Sequence, residues 1–396
     1  MKRRIFNLLV TITFFSLNSW AQVSYPSYKK GLVLQSEDKS TKMKLSFRIQ
    51  SLATFEHTEG ADESDLKGMI RRMRLKTNGF VFDPKFEYKL ELALSNRDHG
   101  NSRDAAQVSQ GSKTVLDAVV KYHLNKSNQI WFGQTKLPGN RERVISSGSL
   151  QFVDRSNVNS KFNIDRDFGV QFRSKNTIGD VPVTLAAAVT TGEGRNITVN
   201  NEKVGMAYTG RVEVYPFGKF TGKGDYFGAD LKREEKAKLA VGATYCFNQN
   251  TTRSGGQLGS FVYELDTSGM ATDQYAFNDI RTLFIDMMLK YQGWSLMAEY
   301  ADKQLAQNTL SFTRGSGYVA QLGYLLKNNF EFSTRFTQIE LAKGMADLVQ
   351  TTEYTFGISR YIVGHKLKVQ SDVAMISMDD GSPDTFRMRF QVELGL

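Results

Sequence analysis

A period of two, held over long segments, constrains this chain more than any other feature. From Met43 apolar residues take alternate positions, with Met43, Leu45, Phe47 and Ile49 on one face and Lys44, Ser46, Arg48 and Gln50 on the other. The last twelve residues repeat the pattern, Phe386, Met388, Phe390, Val392, Leu394 and Leu396 opposing Arg387, Arg389, Gln391 and Glu393. Successive side chains of an extended strand point to opposite faces, so each segment is a strand with one apolar and one polar side. Similar segments lie at 69–82, 85–96, 113–124, 128–136, 167–175, 182–191, 205–215, 237–248, 279–292, 294–303, 317–327, 329–341, 351–362 and 364–376, which makes sixteen strands in all. Most run 9 to 14 residues. Strands of soluble domains average about 5–6 residues, whereas a tilted strand crossing a membrane needs roughly 9–11. The expected fold is therefore all-β, a sixteen-stranded antiparallel transmembrane β-barrel.

The connections carry a second argument. They alternate between long (57–68, 97–112, 137–166, 192–204, 249–278, 304–316, 342–350, 377–384) and short (83–84, 125–127, 176–181, 292–293, 328, 363), as expected for long extracellular loops on one rim and short periplasmic turns on the other. The stretch 216–236 breaks this rhythm, being long on the short-turn side, and alternation gives no reason for its length. All six prolines, Pro26, Pro84, Pro138, Pro182, Pro216 and Pro383, fall in the N-terminal tail, turns, loops or strand ends, where no ladder donor is lost. A propeller or solenoid would show a blade-length repeat, and the sequence has none.

Charge assigns the two faces. An Arg or Lys facing lipid at the midplane costs about 2–4 kcal/mol, so the charged face of each strand looks inward. In 72–81 that face carries Arg72 and Arg74, with Met73 and Leu75 on the other. The same rule places Glu87, Lys89, Glu91, Asp117, Lys121, Arg173, Arg211, Glu213, Asp286, Lys290, Glu331, Arg335, Lys366, Lys368, Arg387 and Arg389 inside. Such an interior reads as a water-filled channel rather than a packed core, and sixteen strands are wide enough to hold one. Any single arginine can equally serve an ion pair in the wall, as Arg211 with Glu213 or Arg335 with Glu331. The outward face carries aromatics near strand ends, among them Phe55, Phe86, Tyr88, Tyr122, Trp131, Tyr245, Phe247, Tyr291, Trp294, Tyr300, Tyr318, Tyr324, Phe330 and Tyr354, as an interfacial girdle requires.

The N-terminus carries an export signal. Lys2, Arg3 and Arg4 precede an apolar stretch at 5–17 and the small-x-small site Ser19-Trp20-Ala21, so 1–21 reads as a signal peptide cleaved after Ala21. It is followed by a short N-terminal periplasmic segment at 22–42 and the barrel at 43–396. Beyond the leader no apolar run is long enough for a membrane helix. The single cysteine excludes an internal disulfide, and export argues against nucleic acid as the partner of the net +10 charge.

Other chemistries find little support. His57, His99, His123 and His365 are scattered without metal-ligand spacing, so no metal or cofactor is expected. A barrel-wall hydrolase is the rival from another class, and His123 with Asp117 is its one candidate; no nucleophile elbow accompanies it, so no catalytic residue is expected and the protein is read as no enzyme. Gly192-Glu193-Gly194 and Gly222-Lys223-Gly224 precede no helix pattern and do not read as phosphate loops, and Cys246 falls on the lumen face as an inert thiol. A structural or adhesion role, or a place in a larger complex, is a third reading.

Ordered motifs add a resemblance. RRMRL at 71–75, FEYKLEL at 86–92, GQTKLPG at 133–139, SLQFVDRS at 149–156, DFGV at 167–170, RVEVYPFG at 211–218, GYLL at 323–326 and the closing RFQ at 389–391 resemble the phosphate-selective porin O and P family. GDYF at 224–227 and KYQGWSLMAEY at 290–300 look like its Bacteroidetes-type outer-membrane versions. The resemblance implies a homotrimeric barrel in the bacterial outer membrane whose third loop, 137–166, folds inward as a constriction. It also implies an anion path marked by Arg72, Arg74, Arg141, Arg143, Arg155 and Arg211, to which the face assignment adds Arg335, Arg387 and Arg389. Because this loop is arginine-rich with Glu142, Asp154 and Asp165 interleaved, rather than built on a lysine cluster, it implies anion preference more than phosphate specificity. The solutes expected are small, polar or anionic, phosphate among them. The other partners expected are outer-membrane lipid and lipopolysaccharide, the latter at rim groups such as Arg71, His99 and Arg103.

Overall fold

A computed structural model describes residues 21–24, 32–99, 114–196, 205–307, 312–343 and 349–396. Most of the leader, the side chain of His99 and all of Arg103 lie outside the described residues. The barrel strands are β3 (Lys42–Thr58), β4 (Asp65–Val81), β5 (Asp83–Ala93), β6 (Val115–His123), β7 (Asn128–Lys136), β8 (Arg166–Ile178), β9 (Val181–Thr190), β10 (Ala207–Val214) and β11 (Lys238–Thr251), then β14 (Asn278–Tyr291), β15 (Trp294–Leu305), β16 (Thr313–Leu325), β17 (Phe330–Lys343), β18 (Val349–Tyr361), β19 (Leu367–Met378) and β20 (Thr385–Gly395). Each pairs antiparallel with its neighbours in chain order, and β20 closes on β3 with Phe390 opposite Ala53 and Gly395 opposite Arg48. Sixteen strands thus form a closed barrel, at the places the period-two segments mark.

Two hairpins lie beyond the periodic reading. β1 (Ala21–Ser24) and β2 (Leu32–Ser36) extend the sheet below the barrel, β2 pairing the first residues of β3. The stretch expected as a plain periplasmic segment is therefore partly strand, and Ala21 opens β1. Within loop 252–277, β12 (Tyr263–Leu265) and β13 (Ala271–Tyr275) form a separate two-stranded ribbon.

Burial follows the charge rule. In β14, Phe284, Asp286, Met288 and Lys290 are buried, while Ile285 between them is half exposed on the lipid side. Two assignments are corrected. The register of β4 slips by one between Arg72, opposite Gln50, and Ile70, opposite Ser51. This β-bulge makes Arg71 an extra residue and turns it inward with Arg72, away from the rim where lipopolysaccharide contact was expected. Trp131 also faces the lumen, because it pairs Lys121 and Gln171, both inward residues, while Ile130 and Phe132 on either side of it point to lipid.

The interior is not wholly aqueous. Leu137, Ile145, Leu150, Phe162 and Ile164 from the loop between β7 and β8 are buried against Phe284, Met288, Met297, Val319 and Ile339 of the inner wall. Inward apolar positions on β14–β17, inconspicuous among the charges, are the dock for that loop.

Candidate functional site

A one-turn helix α1 (Asn96–His99) follows β5, and the loop 137–165 carries two more short helices, α2 (Arg141–Val144) and α3 (Asn157–Phe162). Ser156 caps α3 by accepting from Asn159 N, and its own hydroxyl donates to Glu142 at 2.5 Å, tying one helix to the other. The loop is bonded to wall groups all round the barrel. Asn140 Nδ2 and Glu142 N donate to the Glu299 carboxylate of β15 at 2.7 and 3.1 Å. Gln151 Nε2 donates to Glu331 at 2.8 Å, Val153 N to Asp372 at 3.1 Å and Asn157 Nδ2 to Glu353 at 2.7 Å. On the opposite wall Arg48 reaches Ser147 at 2.7 Å, and Arg71 and Arg72 grip Asp154 at 2.6 and 2.8 Å. Inward glycines make room for it. A side chain at Gly323 would stand 1.8 Å from Gln151 Nε2, and one at Gly357 3.0 Å from the Phe152 ring.

The irregular segment 215–237 enters from the other rim. Lys290 Nζ, buried on β14, donates to three of its carbonyls, Gly224, Phe227 and Ala229, at 2.8, 2.9 and 2.7 Å. Gly228 N then bonds Ser149 O of the loop at 2.7 Å, and Arg141 lies 3.8 Å from Asp225. Its length, unexplained by the alternation, is what lets it rise into the barrel and meet the loop. Between the two inserts and the wall, a cavity of about 690 Å³ opens on the periplasmic side, lined by Arg48, Arg74 and Lys76 of the wall, Ser146 of the loop and Phe227 of the segment.

The nine arginines expected to mark the anion path are all inside, but eight of them face carboxylates. Arg141 is fully buried between Glu213 at 2.6 Å and Asp286 at 3.2 Å. Arg211 holds the same two acids from the wall, at 2.9 and 2.7 Å. Arg72 pairs Asp154, Arg74 pairs Asp98 at 2.8 Å, and Arg143 pairs Asp165. Arg335 and Arg387 share Glu353 at 3.1 Å each, and Arg389 pairs Asp372 at 2.6 Å. The pairing of Arg211 with Glu213 is as expected; that of Arg335 with Glu331 is corrected, since Glu331 is engaged by Gln151 and Tyr361 instead. Arg155 alone of the nine is without an acid, its guanidinium donating to the carbonyls of Glu142 and Ile145 at 2.8 and 2.7 Å.

Other cations are left over. Among the described residues Lys76, Lys121, Lys136 and Arg173, on β4, β6, β7 and β8, have no carboxylate within ion-pair distance, and each keeps part of its surface in solvent. Lys121 and Arg173 both lie 4.3 Å from the Trp131 ring, a cation–π arrangement that holds two like charges side by side. Lys136 donates to Arg143 O at 2.9 Å. Face assignment put Lys121 and Arg173 inside; what it could not supply was which inward charges would be neutralised. His123, the candidate of the rival hydrolase reading, lies 3.1 Å from Glu87, while Asp117 is taken by Arg166 and Lys89 at 3.1 and 2.7 Å, so that pairing does not form.

A closed sixteen-stranded barrel with an apolar outer belt, a charged lumen and a loop folded across it is the architecture of an outer-membrane diffusion channel. The chain belongs to the phosphate-selective porin O and P family, whose model matches residues 43–392. Among solved structures it resembles the anion-selective porin from Comamonas acidovorans at 9% identity, over 90% of this chain and 100% of that one, with a TM-score of 0.55. It resembles OmpT of Vibrio cholerae in its trimer form at 10% identity, over 89% and 99%, with a TM-score of 0.53. The outer-membrane channel DcaP of Acinetobacter baumannii matches at 12% identity over 91% and 99%, with a TM-score of 0.51. At such identities the likeness is one of fold. No curated protein matches the chain significantly.

Proposed function

We propose that this porin gives passive, anion-preferring passage to small hydrophilic solutes, phosphate among them, with the loop 137–165 as its constriction. The observation that carries the reading is the set of cations without acids, Lys76, Lys121, Lys136, Arg155 and Arg173. A paired guanidinium and carboxylate present a dipole whose field falls quickly, whereas an unpaired charge in a narrow, low-dielectric passage attracts counter-ions along its length. Binding shared among several such groups leaves each solute free to move on. The other parts of the reading are a leader removed after Ala21, a homotrimer like the trimer form of OmpT, and an extracellular rim facing lipopolysaccharide.

Reversal potentials in planar bilayers under a salt gradient, with chloride and phosphate compared, test the proposal. Anion preference with both salts is expected; cation preference in the wild-type channel overturns it. Gel migration of unheated against heated protein reads the oligomer.

A further inference from the structure

The lipid-facing wall is not smooth. From β15 across to β20 runs a furrow of about 610 Å³, in which Ala320 and Thr334, both small and exposed, lie between the larger Leu322, Phe336, Tyr354 and Phe356. Tyr354 stands proud, with 62% of its surface exposed, and packs against Phe336 at 5.1 Å between ring centres. Below the furrow, toward the short turns, the outward column of β18 runs Phe356, Ile358, Arg360, and that of β17 runs Thr334, Phe332, Phe330, with Arg360 directly opposite Phe330.

Arg360 is an outward arginine on a wall whose other outward groups here are uncharged. Its guanidinium lies 4.6 Å from the Phe330 ring, and its Nη1 is shielded from solvent with no hydrogen-bond partner. Among the described residues no carboxylate pairs with it, and Lys327 in the adjoining turn is exposed. A guanidinium facing lipid with no carboxylate beside it is costly, and the part of Arg360 that stays exposed is open to an acceptor from outside the chain; an anionic oxygen satisfies both its charge and its geometry. Thr334 lies four residues above Phe330, roughly 13 Å along the strand, within reach of one acyl chain whose headgroup sits at Arg360. Because the short turns mark the periplasmic rim, that headgroup lies in the periplasmic leaflet.

We propose that the furrow and Arg360 form a site for one anionic phospholipid of the periplasmic leaflet, its chain lying on Ala320 and Thr334 and its phosphate against Arg360 and Lys327. The charge at the lower end selects this occupant over a second copy of the chain. A flexible chain also fills a furrow walled by protruding rings, where a second barrel wall would ride on Tyr354.

The test is native mass spectrometry of the full-length porin after exchange into nanodiscs of phosphatidylglycerol or phosphatidylcholine. Wild-type protein is expected to retain one phosphatidylglycerol per protomer and little phosphatidylcholine. Arg360→Gln with Lys327→Gln should lower phosphatidylglycerol retention about tenfold or more. Thr334→Phe, which fills the floor, should abolish retention of either lipid, while heat-modifiability and reversal potential stay at wild-type values in both variants. Undiminished phosphatidylglycerol retention by the charge variant overturns the proposal. So does efficient disulfide cross-linking of Ala320→Cys between copies in the membrane, because the furrow would then be covered by protein.

Discussion

Replacing Lys76, Lys121 and Arg173 together by Gln separates charge that is free from charge that is merely present. None of the three has an acid within ion-pair distance among the described residues, and Lys121 and Arg173 flank Trp131 at 4.3 Å. A unit charge about 10 Å from a passing ion is worth about 0.4 kcal/mol in bulk water and about 1.7 kcal/mol at an effective dielectric of about 20. Three such charges sum to at least about 1.2 kcal/mol, close to a tenfold change in relative permeability. The matched control removes an ion pair entire, Arg389→Gln with Asp372→Asn, whose groups meet at 2.6 Å and whose net charge is zero. Reversal potentials at low and high salt are the assay, since screening within about 8–10 Å at physiological ionic strength shrinks a long-range effect but spares a local one. The triple variant should lose most of its anion preference and the control almost none. Equal loss in both would refute the reasoning, because selectivity would then depend on the paired arginines as well.

Further outcomes follow from the same geometry. Arg141→Ala leaves Asp225 without its cation and Glu213 and Asp286 with Arg211 alone; breaking such a buried cluster costs about 3–5 kcal/mol, so the unheated form should melt earlier and single-channel conductance should rise as the loop loosens. Gly323→Val drives a methyl-bearing carbon into Gln151, and overpacking of about 1–3 kcal/mol should push the loop off β16 with the same conductance signature; a normal channel would show that the loop does not pack there. Arginine at Leu75, Leu322 or Phe390, which face lipid, should each impair assembly by about 2–4 kcal/mol in refolding titrations, and unimpaired folding of all three would reverse the face assignment. Burial pushes the Asp154 carboxyl up, but Arg72 and Arg71 beside it outweigh burial and hold it well below the usual carboxylate range. A depressed carboxylate contributes stability above its unfolded pKa, about 3.9, and loses it only as pH falls through the lower folded value. Asp154 should therefore stay charged from about pH 7 to pH 5, and Asp154→Asn should raise conductance throughout that window; wild-type conductance in the variant would show that Asp154 does not clamp the loop.

The sixteen strands, their order and their faces were legible in the sequence because lipid enforces a local rule. A strand has a side-chain period of two, and a charge on its outer side costs so much that composition along each strand reports orientation residue by residue. Glu213, Asp286 and Arg389 could be placed inside from their neighbours alone. What required the tertiary structure was everything that depends on residues far apart in the chain meeting inside the barrel. Arg71 turns inward only because the ladder slips opposite Gln50. Trp131 reads as a girdle residue until its partners Lys121 and Gln171 fix its side. The segment 215–237 looks anomalous until Lys290 collects three of its carbonyls and Ser149 receives Gly228. Which arginines remain available to a solute was likewise hidden. Arg141 meets Glu213 and Asp286 across 72 and 145 positions, and Arg335 meets Glu353 across 18. Periodicity is a one-dimensional property set by backbone geometry and solvent; charge neutralisation is a matter of distance in space, and only the closed barrel with its two inserts sets those distances.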